Sequence, residues 1–134
     1  MTKDELIRYW LLASDKDFRT MQNLFKSKDY HWSLFIGHLV LEKLLKAYFV
    51  KHKDQNVPLI HDLFRIAEKA DLNLTEEQKD FLDEVTRFNI SARYPDYKHK
   101  FYKKCTLKFT EKKIEKIKEF RSWLKRQIRK QSTK

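Results

Sequence analysis

A chain of 134 residues, 41% hydrophobic and 37% charged, is long enough for one domain with one core and too apolar to be disordered. One Gly and two Pro argue against a turn-rich β architecture and exclude the glycine-built sites: a Walker loop, a dinucleotide fingerprint, a nucleophile elbow. The net charge of +11 fits a polyanion partner (nucleic acid, nucleotide, anionic lipid or an acidic protein), and it fits a lysine-rich solvated surface equally well. The single Cys105 permits no internal disulfide. The charged start MTKDELIRYW lacks a signal peptide's apolar run, and no apolar segment approaches the roughly 20 residues of a membrane span. A cytoplasmic protein is expected.

Thr2 to Glu5 reads T-x-x-E, a capping box that opens a first helix over about residues 3–27. Its apolar stripe is Leu6, Ile7, Trp10, Leu11, Ala13, Phe18, Met21, Leu24 and Phe25. Asp17, at the edge of the stripe, reads as a boundary charge that pairs with a lysine. Lys28-Asp29 is a break too short for anything but an antiparallel hairpin, with Asp29 as the next N-cap. Residues 31–53, HWSLFIGHLVLEKLLKAYFVKHK, are apolar nearly all round, the pattern of a helix enclosed by its neighbours. Leu34, Leu41, Leu44, Leu45 and Tyr48 share one face. Only a strip with Glu42, Lys43, Lys46 and Lys53 is polar, and Glu42 and Lys46 stand at i, i+4 in the favourable order. Phe35 and Leu39 lie in that polar sector with Trp32 at its edge, which points to a contact beyond the monomer and hence a homodimer.

Asp54 to Pro58 is a loop. A short third helix opens at His61-Asp62-Leu63, with His61 as a cap or as a partner for Glu42. After the turn at Asp71–Leu74, Thr75 to Gln78 forms a second capping box. The fourth helix turns Phe81, Leu82, Val85 and Phe88 inward and ends near Ile90. Residues 91–109 read as irregular, broken by Pro95. Thr110 then caps a last helix through Ile114, Ile117, Phe120, Leu124 and Ile128. From Glu111 to Lys134 it carries ten Lys or Arg against three Glu, and Gln131 to Lys134 should fray. The expectation is one domain over residues 1–134, all-α, an antiparallel up-and-down bundle of about five helices, four long and one short.

Between 93 and 104, Tyr94, Tyr97, Phe101 and Tyr102 interleave with Arg93, Lys98, Lys100, Lys103 and Lys104. Aromatic rings stack on bases while lysines hold phosphate, or the same rings pack the segment onto the bundle. With the last helix the stretch would form one electropositive surface. His38 and Glu42 have i, i+4 metal-ligand spacing but no clear third ligand, so a core or capping role is preferred and no metal or cofactor is expected.

Asp17-Phe18, Leu41-Glu42-Lys43-Leu44-Leu45-Lys46-Ala47, Pro58 with His61-Asp62-Leu63, and Ala92-Arg93-Tyr94-Pro95-Asp96 follow one another in an order and spacing that resembles the HEPN family (higher eukaryotes and prokaryotes nucleotide-binding domain), over about residues 4–130. The resemblance implies an up-and-down bundle that commonly dimerises. It implies small prokaryotic members that stand beside a minimal nucleotidyltransferase, often as a toxin–antitoxin-like pair, and a partner able to modify an exposed tyrosine such as Tyr94 or Tyr97. Many members are metal-independent endoribonucleases with an R-x(4–6)-H motif. Arg93 and His99, with five residues between them, are the catalytic candidates here. A His near neutral pKa takes the 2′-OH proton, and an Arg fork holds the phosphorane charge. Tyr94 stands where a polar residue often follows the Arg, and Pro95 interrupts the helix. In the bland alternative Arg93 and Asp96 brace a turn and His99 is solvated. The nucleotide- or RNA-binding candidates are Glu42, Lys46, His61, Arg93, Tyr94, Asp96, Tyr97, Lys100, Lys103 and Lys104. A dimeric adaptor without catalysis is the remaining alternative.

Overall fold

The computed structural model describes residues 1–130; the expected fraying of Gln131 to Lys134 lies outside the described residues. Six helices make up the bundle: α1 (Lys3–Lys26), α2 (Tyr30–His52), α3 (Leu63–Lys69), α4 (Glu76–Arg93), α5 (Pro95–Lys104) and α6 (Leu107–Arg129). Both capping boxes form, Thr2 with Glu5 and Thr75 with Gln78. With a single glycine in the chain, two helix ends place other residues in the left-handed region: Lys28 at φ 68° and Asp71 at φ 57°. Each closes a Schellman motif, with Asp29 N–H donating to the Leu24 carbonyl and Leu72 N–H to that of Ala67. Asp29 precedes α2 as expected but makes no side-chain cap; its carboxylate accepts instead from the Ser27 hydroxyl at 2.6 Å.

α2 is the axis of the molecule. α1, α3, α4, α5 and α6 all pack on it, and Leu34, Val40, Leu41, Leu44, Leu45, Ala47 and Val50 are wholly buried. Two buried serines fasten it to α1: Ser14 donates to the Val40 carbonyl and Ser33 to that of Met21, each at 2.8 Å. Asp17 pairs with Lys43 at 2.5 Å, as its place on the stripe edge predicted. On the far side of α1, Asp15 accepts from Arg121 at 3.2 Å and Lys125 at 2.8 Å, which ties α6 to α1.

Four expectations need correction. Among the described residues the helices number six, because part of the stretch read as irregular, 91–109, is a helix of its own. Pro95 does break the chain, but it stands in the first turn of α5, where its fixed φ suits a helix start and its missing N–H would have had no partner. α4 runs on past Ile90 to Arg93. Thr106, not Thr110, caps α6, accepting from Phe109 N–H at 3.2 Å; Thr110 is buried in the first turns of α6. No helix among the described residues is long and apolar enough to cross a membrane.

At Gly37, α2 packs closely against α1 and α6. A Cβ there would lie 2.7 Å from Ile117 Cδ1 of α6 and 3.2 Å from Met21 Sδ of α1. Ala gains about 1 kcal/mol over Gly in helix propensity, but forcing a methyl into a filled core costs about 1–3 kcal/mol. Gly37→Ala is therefore expected to lower stability, and Ile117→Val, which removes the offending Cδ1, to restore part of it in the double variant. Urea unfolding checks this; a double variant no better than Gly37→Ala would contradict it.

Candidate functional site

Two groups of side chains stand out, one buried and one exposed. The buried group centres on Glu42, 4% exposed, one turn before Lys46, 6% exposed. Glu42 Oε2 accepts from Lys46 Nζ at 2.9 Å, and Oε1 accepts from His61 Nδ1 at 2.8 Å. His38, fully buried one turn earlier, donates from Nε2 to the His61 carbonyl at 2.8 Å, since a carbonyl only accepts. One carboxylate thus joins two turns of α2 to the segment leading into α3. Burial pushes the Glu42 carboxyl up, but the hydrogen bonds from Lys46 and His61, then the Lys46 charge, outweigh it and hold the group below the usual carboxylate range. Burial drives the His38 imidazole down, so it is neutral, with Nδ1 unpartnered. The Lys46 ammonium lies 5.3 Å from the centre of the Trp10 ring. His61 is the partner of Glu42 and not the cap of α3; Asp62 is that cap.

The exposed group is α5. Helical spacing assigns its side chains to three faces. Phe101 turns inward against Phe88 at 5.4 Å, so of the four aromatics proposed for stacking this one packs the segment onto the bundle. Pro95, Lys98, His99 and Tyr102, at i, i+3, i+4 and i+7, face α2 and form with His31 and Trp32 a groove of about 510 Å³. Tyr97, Lys100 and Lys103 are exposed. Asp96 is the only acid in the helix. Lys98 Nζ stands 4.9 Å from the Trp32 ring centre and Lys104 Nζ 5.3 Å from that of Phe109.

Arg93 ends α4 between these groups. Its Nε donates to the Asn89 carbonyl at 3.1 Å, and its guanidinium lies 5.7 Å from the ring centres of both Phe35 and Tyr94. Glu42, Lys46 and His61 of the predicted set come together; Tyr94, Asp96, Tyr97, Lys100, Lys103 and Lys104 occupy the α4–α5 end of the molecule. Arg93 and His99 stand on different helices on either side of Pro95. The groove residues His31 and Trp32 escaped the sequence reading as ligand-facing groups, because that face of α5 exists only once Pro95 is recognised as a helix start.

The basic surface is shorter than the sequence implied. Lys113 pairs with Glu84, Lys118 with Glu115, and Arg121 and Lys125 with Asp15. Arg126 and Arg129 lie about 28 Å of helix rise or more beyond Leu107. Lys108 and Lys112 continue the α5 cations onto α6, with Lys116 one turn further on at the α4–α6 cleft. A cleft of about 870 Å³ between α4 and α6 has Phe81, Phe120 and Trp123 as its aromatic side chains, with Glu77, Asp80, Glu84 and Glu119 against Arg87 and Lys116, the wrong balance for phosphate. Cys105 is buried and its thiol is pushed up to about 12, so it is no nucleophile. No group of three or more metal-ligating side chains occurs among the described residues.

A family model for the HEPN domain matches residues 7–127, and the chain belongs to the HEPN domain family. Among solved structures it is similar to the one described as the crystal structure of TT1696 from Thermus thermophilus, with a TM-score of 0.76 over 90% of this chain and 96% of that one, at 19% identity. That likeness is one of fold. No curated protein matches the chain.

Removing one member of a buried ion pair strands the other. Glu42→Ala is expected to cost about 3–5 kcal/mol, while Glu42→Met with Lys46→Met removes both charges and recovers most of it. Chemical denaturation reads both; a Glu42→Ala protein as stable as the parent would contradict the arrangement.

Proposed function

We propose that this HEPN domain is an RNA- or nucleotide-associated module that takes phosphate on the exposed face of α5, works in the cytoplasm as a homodimer and is partnered by a minimal nucleotidyltransferase in a two-gene, toxin–antitoxin-like system. The observation that carries the reading is the state of the α5 cations. Among the described residues Lys98, Lys100, Lys103 and Lys104 have no acidic partner in ion-pair range, whereas Lys113, Arg121 and Lys125 of α6 are paired with acids of α4 and α1. Exposed, unpaired lysines beside exposed tyrosines match the needs of a flexible polyanion that carries bases. The half-exposed Tyr94 and Tyr97 are open to a modifying partner. Half-buried Trp32, Phe35 and Leu39 supply the apolar face for a second copy.

The enzyme alternative has one observation in its favour. Arg93 and His99 are both exposed and border one aromatic patch of α2, Arg93 on Phe35 and His99 in the groove with Trp32, while Trp32 and Phe35 touch at 5.9 Å. A cation and an imidazole there serve RNA cleavage without metal.

Titration with single-stranded RNA and with ATP at two salt concentrations tests the module. Affinity is expected to fall steeply with salt, and Lys103→Glu/Lys104→Glu to flatten the log–log slope by about 1.4, at roughly 0.7 for each phosphate no longer neutralised. Equal affinities for parent and variant without a salt slope would leave the adaptor reading in front. RNA cleavage abolished in His99→Ala with binding retained would establish the nuclease. Light scattering on the same samples should give a dimer at tens of micromolar, and a monomer there would remove that part of the proposal.

A further inference from the structure

His31 is 8% exposed, and neither of its ring nitrogens has a hydrogen-bond partner. Such a group is expensive to leave unpaired. Desolvation by burial, then the nearby Lys98 charge, push it down, so the ring is neutral and offers one N–H donor and one lone pair. It lines the groove with Trp32, Pro95, Lys98, His99 and Tyr102. Trp32 lies at 4.8 Å and 41° to its ring, and Tyr102 meets it edge-on at 5.3 Å and 72°. Tyr102 itself is 62% exposed, so one face of the groove is a free aromatic platform. The Lys98 ammonium is at the rim, over Trp32.

A ligand that satisfies this groove is flat enough to stack, carries on its edge a donor or an acceptor for one His31 nitrogen, and has an anionic group within reach of Lys98. We propose that the groove between α2 and α5 is a base-reading subsite: it receives one unpaired nucleobase of a single-stranded RNA, stacked on Tyr102 and Trp32 and hydrogen-bonded at its edge by His31, while Lys98 holds the adjoining phosphate. The inference rests on the RNA reading above and deepens it. A base inside a duplex has its edge paired and its faces stacked, so the subsite selects single strands, loops or ends. Trp32 and His31 come from α2 and are set by the core. The subsite is thus rigid on one side and formed by the long side chains of Lys98 and Tyr102 on the other.

The test uses the full chain and four fluorescent-competition probes: a single-stranded RNA hexamer, the same hexamer in a duplex, an abasic ribose-phosphate hexamer, and adenosine monophosphate. The variants are His31→Phe and Tyr102→Ala. His31→Phe keeps the ring and discards two unpaired polar atoms, and is expected to melt no lower than the parent; Tyr102 is exposed, so its loss should spare the fold. Each variant should bind the single-stranded hexamer about tenfold more weakly or worse, with the salt slope unchanged because every lysine that meets phosphate is still in place. Neither should alter binding of the abasic hexamer. Salt-sensitive hexamer binding that is equal in parent and variants would overturn the subsite and leave the module standing. Abasic or duplex probes that bind the parent as tightly as the single strand would overturn it as well, as would adenosine monophosphate matching the hexamer. A parent that binds no probe at any salt would overturn both readings.

Discussion

The bundle depends on how the Glu42 carboxylate is held. α2 is enclosed by five other helices, and a charge placed there has almost no water to solvate it. Both of its oxygens are taken, one by Lys46 on its own helix and one by His61 across the bundle. The pair with Lys46 removes net charge from the core. The bond to His61, seconded by His38 on the His61 carbonyl, fixes the longest connection among the described residues, 53–62, against α2. A buried ion pair is weak evidence for stability, because an apolar pair of the same size does as well. What the carboxylate adds is position: the segment entering α3 has one seat, and α3 and α4 follow from it.

That arrangement separates structure from chemistry. The charges drawn into the core are neutralised, and Asp15 on α1 and Glu84 on α4 neutralise several of the α6 cations. Unpaired lysines are left on α5 and at the start of α6, the former on an element whose buried side chain is Phe101. A short helix fixed by few inward side chains has most of its surface free to meet a partner. The aromatic wall that α2 turns toward it, His31 and Trp32, is held in place by the core behind.

The central helix and both capping boxes were legible in the sequence, because periodicity and cap chemistry are local; a lysine partner for Asp17 was legible without its identity, and Glu42 as one of two roles for His61. α5 was not. Its composition of lysines and tyrosines has a weak apolar stripe, and Pro95 carries two opposite meanings, a break in α4 and a start for α5. Spacing alone does not choose between them; Phe101 landing on Phe88 does. The same ambiguity hid the groove, which needs Pro95, Lys98, His99 and Tyr102 on one helical face. The division of the cations into paired and free was also out of reach, since Asp15 meets Arg121 and Lys125 more than 100 residues along the chain.

The account stands on an ionised Glu42 at the centre of the bundle, and the titration of that one group tests it most directly. The Glu42 side-chain carboxyl carbon, followed by carbon NMR against pH in the parent and in Lys46→Met, should titrate below the ordinary 4.5 in the parent and move upward when the ammonium is removed. With its folded value lowered, the contribution of Glu42 to stability is present above 4.5 and is lost as pH falls through the folded value. A parent carboxyl that titrates at or above 4.5, or one indifferent to Lys46→Met, would contradict the account.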